Sequence, residues 1–169
     1  CSDFTDIRKG AALLKELLKT NFSKEESLDL CVVTFGEANG FTFDNMDIEW
    51  IHLGSLSSDH QMNAVYQSAD LFVNPSLDDL GPVIMIEAFV NKLPIVSFDV
   101  GIAKDIIING VNGSIAKNFD VGNFSFLMKH NLDSLNKNFT DNVKIKKLYG
   151  EFMIESEASL FLKNIDYVG

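Results

Sequence analysis

The sequence has few of the residues that would tie it to a metal, a disulfide framework or a nucleic acid. It contains two cysteines, three histidines and one tryptophan among 169 residues. Cys1 and Cys31 are too few for a disulfide framework and match no zinc-binding spacing, so no metal is predicted. Basic residues number 14 against 24 acidic ones, a net charge of −10. Because a nucleic-acid binder needs a basic face, DNA and RNA are poor candidates as partners.

Long apolar runs are also absent. No stretch approaches the roughly 20 apolar residues that a membrane helix requires, and the longest, Val83 to Val90, is interrupted by Glu87. The sequence shows neither a signal peptide nor a basic patch that would attract an anionic membrane. We therefore expect a cytoplasmic location, with no membrane association of this domain's own. Cys31 lies in an apolar segment and is predicted to be a buried, reduced thiol.

Helical and extended patterns alternate along the chain. Apolar periodicity and turn residues predict strands at Leu28–Phe35, Ile48–Gly54, Asp70–Asn74, Pro94–Phe98 and Ser114–Ala116. Helices are predicted over Arg8–Asn21, from Ser57 or Ser58 to Ala69, from Pro82 to Asn91, over Ile102–Asn109, and in a helical C-terminal segment from about 120 to 169. This alternation predicts one Rossmann-like α/β domain over residues 1–169, a doubly wound and mostly parallel sheet with helices on both faces.

One element of that pattern is not found at its usual place. A Rossmann-like domain normally opens with a strand, whereas residues 1–7 are polar and turn-like. We expect the opening strand to have been cut away or to begin directly at Cys1. Since the sequence opens on Cys1 without a methionine, we also expect it to be the C-terminal half of a larger enzyme.

The segment NPSLDDLGPVIMIE, residues 74–87, carries the most specific chemistry. A strand ends in its first residues, and a helix begins with Gly81 at or near the cap and Pro82 at the first helical position. The backbone N–H groups of Val83 and Ile84 are then among the free donors of the first turn. Together with the helix dipole, they form a phosphate site at the carboxyl end of a parallel strand, where open α/β sheets bind ligands.

Two acidic residues flank this predicted phosphate site. Glu87 lies one turn beyond Val83 on a helix that is otherwise apolar all round, so its carboxylate needs a partner. The two hydroxyls of a ribose would provide one, and an acid paired within the fold fits equally well. Asp79 alone fits a surface loop better than a binding site. The residues by themselves therefore indicate an anion or nucleotide site and specify no reaction.

Seven blocks follow one another from Arg8 to about Leu127, namely RKG, VVTFGE, HLGSLSS, AVYQSADLFVNPS, DDLGPVIMIEAF, LPIVSFDVG and IIINGVNGSIA. Their order and spacing resemble the glycosyl transferases group one family, the C-terminal half of retaining glycosyltransferases with the two-domain B-type fold. The resemblance implies a domain that binds a nucleotide diphosphate sugar. It also implies an N-terminal, acceptor-binding domain outside these residues.

The resemblance implies catalytic roles for three residues. Lys9 would neutralise the phosphates as the leaving group departs, Asp79 would hold hydroxyls of the donor sugar, and Glu87 would bind the ribose. Asp79 stands where the family usually has a glutamate, so its reach is one methylene shorter. The family's usual Gly-Phe-Gly is replaced by LGP at positions 80–82.

Donor-binding roles are implied at Arg8, Gly36, Ser55, Leu56, Gly81, Val83 and Ile84. The amides of Val83 and Ile84 would contact the diphosphate, and Gly36 with Ser55–Leu56 would receive the base. Arg8 would replace an arginine that the family usually carries shortly before the lysine. The resemblance implies no metal and no cofactor besides the nucleotide diphosphate sugar, which is the donor substrate.

The leading hypothesis is the donor-binding domain of a retaining hexosyltransferase. Such an enzyme transfers sugar from a UDP- or GDP-sugar to an acceptor glycan or lipid-linked glycan, as in polysaccharide biosynthesis, and could reach the inner face of the membrane through its other half. The chain by itself would bind nucleotide weakly and transfer nothing. The alternative is a non-catalytic, nucleotide- or partner-binding Rossmann-like module of a multi-subunit complex.

Overall fold

The computed structural model describes residues 4–44, 46–79 and 83–133. Within these ranges the elements are a 3-10 helix Ile7–Lys9, α1 Ala11–Asn21, α2 Lys24–Leu28, β1 Cys31–Thr34, β2 Glu49–His52, α3 Asp59–Ser68, β3 Phe72–Asn74, α4 Val83–Val90, β4 Ile95–Phe98, α5 Ala103–Ile106, β5 Gly113–Ala116 and α6 Val121–Asp133. None of these helices is both long and apolar enough to span a membrane. The part of the predicted C-terminal helical segment beyond α6 lies outside the described residues.

The described strands form two parallel sheets. One pairs β1 with β2, with Cys31 opposite Glu49, and the other has the order β3-β4-β5, with Val96 opposite both Val73 and Ser114. Parallel strands, with helices in the connections from β2 to β3, from β3 to β4 and from β4 to β5, are the arrangement that the alternating pattern predicted. The prediction of a Rossmann-like α/β fold is confirmed.

Strand β4 lies at the centre of the core, and its successive residues point to opposite faces. Val96 packs on one face in a hydrophobic cluster with Leu17 of α1 and Phe124 of α6. Ile95 packs on the other face in a second cluster with Phe89 of α4. All four residues of β4 are buried, so this sheet has helices on both faces, as its continuous apolar sequence indicates.

Strand β1 departs from the prediction at its start and on one face. A capping box between Ser23 and Glu26 begins α2, which was not predicted, and β1 then begins at Cys31. The prediction that Cys31 is buried is wrong, because Cys31 is exposed. Val33 and Ile51 are also 39% and 41% exposed on the same sheet. The described residues between β1 and β2 form no helix, so no helix from this part of the connection covers that face.

The register between β4 and β5 depends on a residue without a side chain. Gly113, the first residue of β5, has φ +152°, and a Cβ at this position would lie 2.0 Å from the carbonyl oxygen of Ile95. Gly110 belongs to the preceding turn and has φ +75°, but a Cβ there would meet open space. An alanine at Gly113 would therefore meet both a backbone clash and an unfavourable φ, whereas an alanine at Gly110 would meet only the unfavourable φ.

We expect Gly113→Ala to lower the free energy of unfolding by about 3 kcal/mol or more, because the methyl group displaces a strand of the core. Gly110→Ala is the matched control and should cost only about 1–2 kcal/mol, the strain of a left-handed alanine. Denaturant unfolding of both variants measures the difference. Equal losses would contradict the close packing of β5 on β4.

Candidate functional site

The amino-terminal segment is held against the loop that follows β3. Gly10 has φ +70°, and a Cβ there would lie 2.0 Å from the carbonyl oxygen of Pro75. The backbone N–H of Leu77 donates to the carbonyl oxygen of Arg8 at 2.7 Å. Since only glycine fits this contact, Gly10 fixes where the residue before it lies.

That residue is Lys9, and its ammonium group contacts Asp79. Lys9 Nζ lies 2.7 Å from Asp79 Oδ2, although the two residues are 70 positions apart in sequence. Their side chains are 27% and 13% exposed, so the pair is partly withdrawn from water. An ammonium group has three N–H donors, and this hydrogen bond uses one of them. The structure thus brings together two of the three predicted catalytic residues.

The third, Glu87 of α4, is bound by a tyrosine. The hydroxyl of Tyr66 donates to Glu87 Oε2 at 2.8 Å, and Tyr66 is only 2% exposed. Its ring is held edge-on by Phe35 and Phe72, each with a centroid 6.1 Å away. The partly buried carboxylate of Glu87 therefore has a partner within the fold, and its orientation is fixed from α3.

Sequence reasoning assigned no role to Tyr66, which stood only within a matching block. Its position on the apolar side of α3 was the available signal, because a buried tyrosine hydroxyl needs a partner. Burial raises the pKa of Tyr66 far above its usual value, and the hydrogen bond to Glu87 raises it further. The phenol therefore keeps its proton throughout the physiological pH range and donates a hydrogen bond to Glu87.

The first turn of α4 opens into the same cavity as the Lys9–Asp79 pair and Tyr66, whereas Glu87 is not among the described residues that line it. Val83 and Ile84, its first two residues, line a cavity of about 730 Å³ together with Lys9, Asp79 and Tyr66. Their N–H groups belong to the first turn, which has no intrahelical acceptors for them. A cation and helix-end amides thus lie at one end of this cavity. Gly81, the predicted cap position, lies outside the described residues.

The remaining predicted residues lie apart from this cavity. The Arg8 side chain is 68% exposed and makes a bidentate salt bridge with Asp6, with Nη2 and Nε at 2.8 and 3.1 Å from the carboxylate oxygens. Gly36, Ser55 and Leu56 follow β1 and β2 at their carboxyl ends and are not among the described lining residues. In the described part of the chain, no group of three or more His, Cys, Asp or Glu residues could hold a metal.

The chain belongs to the glycosyl transferases group 1 family, whose model matches residues 8–144. Sucrose-phosphate synthase from Thermosynechococcus elongatus is 16% identical, with a TM-score of 0.62 over 97% of this chain and 44% of its own. TarM is 20% identical, with a TM-score of 0.66 over 92% of this chain and 32% of its own. HepE from Anabaena, solved with UDP, is 15% identical, with a TM-score of 0.61 over 93% of this chain and 48% of its own. These likenesses show the fold.

The chain spans less than half the length of each of these solved structures. A search of curated protein sequences finds no match. The comparisons therefore confirm the family and the Rossmann-like fold of the B type, and the roles of the individual site residues remain predictions.

The raised pKa of Tyr66 predicts how the free energy of unfolding depends on pH. Because folding raises this pKa, the folded state holds the phenol proton more tightly than the unfolded state, and this contribution is fully present below about pH 10 and declines above it. We expect the free energy of unfolding of the wild type to fall more steeply from pH 9 to pH 11 than that of Tyr66→Phe. At pH 8 the variant should be about 1–2 kcal/mol less stable, because it lacks the bond to Glu87. Parallel pH profiles from denaturant unfolding would contradict this assignment.

Proposed function

We propose that this chain is the donor-binding domain of a retaining hexosyltransferase. The enzyme would transfer a sugar from a UDP- or GDP-sugar to an acceptor glycan or a lipid-linked glycan, in polysaccharide biosynthesis at the inner face of the membrane. The observation that carries the proposal is the Lys9–Asp79 pair at 2.7 Å, in the same cavity as the first turn of α4. Family membership supports glycosyl transfer as the class of reaction. The pair supports the proposed roles of its two residues, a cation for the diphosphate and a carboxylate for the sugar hydroxyls.

A diphosphate needs local positive charge here, because the whole chain carries a net charge of −10. Lys9 supplies a cation, and the N–H groups of Val83 and Ile84 supply helix-end donors in the same cavity. When the bond between the anomeric carbon and the diphosphate oxygen breaks, negative charge grows on the leaving diphosphate. Donors already in place stabilise that charge without reorganisation, which lowers the barrier.

The two carboxylates would orient the rest of the donor. Asp79, 13% exposed beside Lys9, can accept hydrogen bonds from the hydroxyls of the sugar. Glu87, held at Oε2 by Tyr66, would present its carboxylate to the ribose diol. A carboxylate fixed by a buried tyrosine loses little freedom on binding, so it selects a defined position of the nucleoside. The base would dock beyond it, toward Gly36 and Ser55–Leu56.

Acceptor binding and transfer would require a second domain. This chain spans less than half of the structures it resembles, so the acceptor would bind in a cleft between this domain and a partner domain. The residues described here would hold the donor and its leaving group. The isolated chain is therefore expected to bind nucleotide and to transfer no sugar.

The binding prediction is tested by calorimetric titration of the chain with UDP, GDP and ADP. We expect one nucleotide to bind saturably, and an Asp79→Ala, Glu87→Ala double variant to bind it at least about tenfold more weakly, the loss of one or two charge-assisted hydrogen bonds. Asp78→Ala is the matched control, since it removes an adjacent exposed acid and should leave affinity unchanged. Folded protein that binds none of the three, or a double variant that binds as tightly as the wild type, contradicts the proposal.

A second titration separates the phosphate contact from the nucleoside contacts. Lys9→Met should weaken binding of the nucleoside diphosphate about 10- to 100-fold and leave affinity for the free nucleoside unchanged, because only the diphosphate carries the charge that Lys9 meets. Lys19→Met, which removes an exposed lysine of α1, should change neither affinity. Equal losses for diphosphate and nucleoside would show that Lys9 does not act on the phosphates.

A further inference from the structure

The last residue pair of β3 and β4 is polar, at the end of the strands that lies next to the candidate site. Asn74 lies opposite Ser97, whereas the two preceding pairs of these strands consist of Phe, Val and Ile residues. Asn74 is 2% exposed and Ser97 is fully buried. Asparagine is depleted in strands, and a buried amide costs free energy unless it is hydrogen-bonded. A valine would suit this position in the strand better, so the stability of β3 alone does not explain the asparagine.

The side chain of Asn74 connects β3 to three other parts of the fold. Its Nδ2 donates to Ser97 Oγ of β4 at 3.1 Å and to Met85 Sγ of α4 at 3.3 Å. Its Oδ1 accepts a hydrogen bond from the backbone N–H of Ser76, in the loop after β3, at 3.4 Å. The donors and the acceptor of one buried side chain thus join two strands, a loop and a helix.

Two of these parts carry groups that would face the donor. Met85 lies in the first turn of α4, directly after the two residues of that helix that line the cavity. The loop that is bound at Ser76 carries Asp79, and Asn74 lines the same cavity as both. The helix-end amides and the carboxylate are therefore placed relative to each other through one side chain at the end of β3.

The same loop also holds Lys9. The N–H of Leu77 donates to the carbonyl oxygen of Arg8 on one side of Lys9, and Pro75 lies against Gly10 on its other side. Both contacts are made by the immediate neighbours of the loop residue that the asparagine binds. A shift of this loop would therefore move the ammonium group together with the carboxylate.

We propose that Asn74 is a positioning residue of the diphosphate site, which holds the cation, the carboxylate and the helix-end amides at fixed mutual distances. The inference rests on the proposed function, because it concerns how that site is held. Groups that stabilise developing charge must lie within about 0.5 Å of the productive geometry. A buried, hydrogen-bonded amide provides this precision, because a shift of the loop or of the helix breaks one of its contacts.

Asn112 is a buried asparagine of the same chain that lies apart from the site. It is 1% exposed, its Oδ1 accepts from the N–H of Ile108 at 2.7 Å, and its Nδ2 donates to the carbonyl oxygen of Ile106 at 2.8 Å. These bonds hold the turn before β5, and Asn112 is not among the described residues that line the cavity. The two asparagines thus share burial and bonding, and differ in their connection to the site.

The test is calorimetric titration of folded Asn74→Ala and Asn112→Ala proteins with UDP, GDP and ADP, and with the corresponding nucleosides. We expect Asn74→Ala to bind the nucleotide that the wild type binds at least about tenfold more weakly, because the phosphate-facing groups lose their alignment. Its affinity for the free nucleoside should fall less than about twofold, because Glu87 is still held by Tyr66. Asn112→Ala should lose stability in denaturant unfolding and keep both affinities.

A second variant addresses the possibility that Asn74→Ala does not fold. The Asn74→Val, Ser97→Ala double variant removes the polar pair from both strands, which costs less stability than leaving one buried partner unsatisfied. It also leaves the loop and α4 without their contacts to the amide. We expect the same selective loss of nucleotide affinity in this variant.

Three results would overturn the inference. Wild-type nucleotide affinity in either folded Asn74 variant, or equal losses for nucleotide and nucleoside, would do so and would leave the proposed function standing. A loss in Asn112→Ala as large as that in Asn74→Ala would also do so, because any buried asparagine would then have the same effect. If the wild type binds none of the three nucleotides, the proposed function fails and this inference fails with it.

Discussion

The contact between Gly10 and the backbone of Pro75 is the constraint on which the candidate site depends. A Cβ at Gly10 would lie 2.0 Å from the Pro75 carbonyl oxygen, so no other residue allows the amino-terminal segment to lie so close to the end of β3. This approach brings the carbonyl oxygen of Arg8 to the N–H of Leu77, and Lys9 Nζ to Asp79 Oδ2. It also leads the chain from the end of β1, where the N–H of Phe4 donates to the carbonyl oxygen of Glu37, to the end of β3.

The two polar pairs of the site share one design. Lys9–Asp79 and Tyr66–Glu87 each join a residue that follows β3, in the loop or in α4, to a residue from an earlier part of the chain. Each is at least partly buried, so its geometry is held by surrounding packing and its charge interactions are weakly screened by water. In the proposed function, stability and ligand recognition would draw on the same contacts, as expected of a site whose groups are placed before the ligand arrives.

Local signals in the sequence predict much of this fold. Ser58 caps α3 as expected, and the apolar segments around Val73 and Val96 form parallel strands. α2 was missed because it is one short turn specified by a capping box, Ser23 with Glu26, and has no apolar stripe of its own. Exposure of Cys31 could not be predicted, because it depends on which helices cover β1 and not on the apolar character of the strand.

The site was predictable where the residues are close in sequence and not where they are distant. Glu87 was singled out by its place on an otherwise apolar helix, one turn beyond Val83, and the resemblance added the roles of Asp79 and Lys9. The bond between Tyr66 and Glu87 joins α3 to α4 and depends on how the two helices pack, which periodicity does not encode. The salt bridge of Arg8 with Asp6 was missed for a different reason. It is local, and the resemblance directed Arg8 to the phosphates instead.

The most direct measurement is the affinity of folded Gly10→Ala protein for the nucleoside diphosphate, determined by calorimetry. Gly40→Ala is the matched control, because Gly40 has a similar φ of +80° and open space around it. If the Gly10–Pro75 contact places Lys9, Gly10→Ala should lose at least about tenfold in affinity, more than one kcal/mol, while Gly40→Ala binds like the wild type. Wild-type affinity in a folded Gly10→Ala variant would show that the phosphates are bound without this contact.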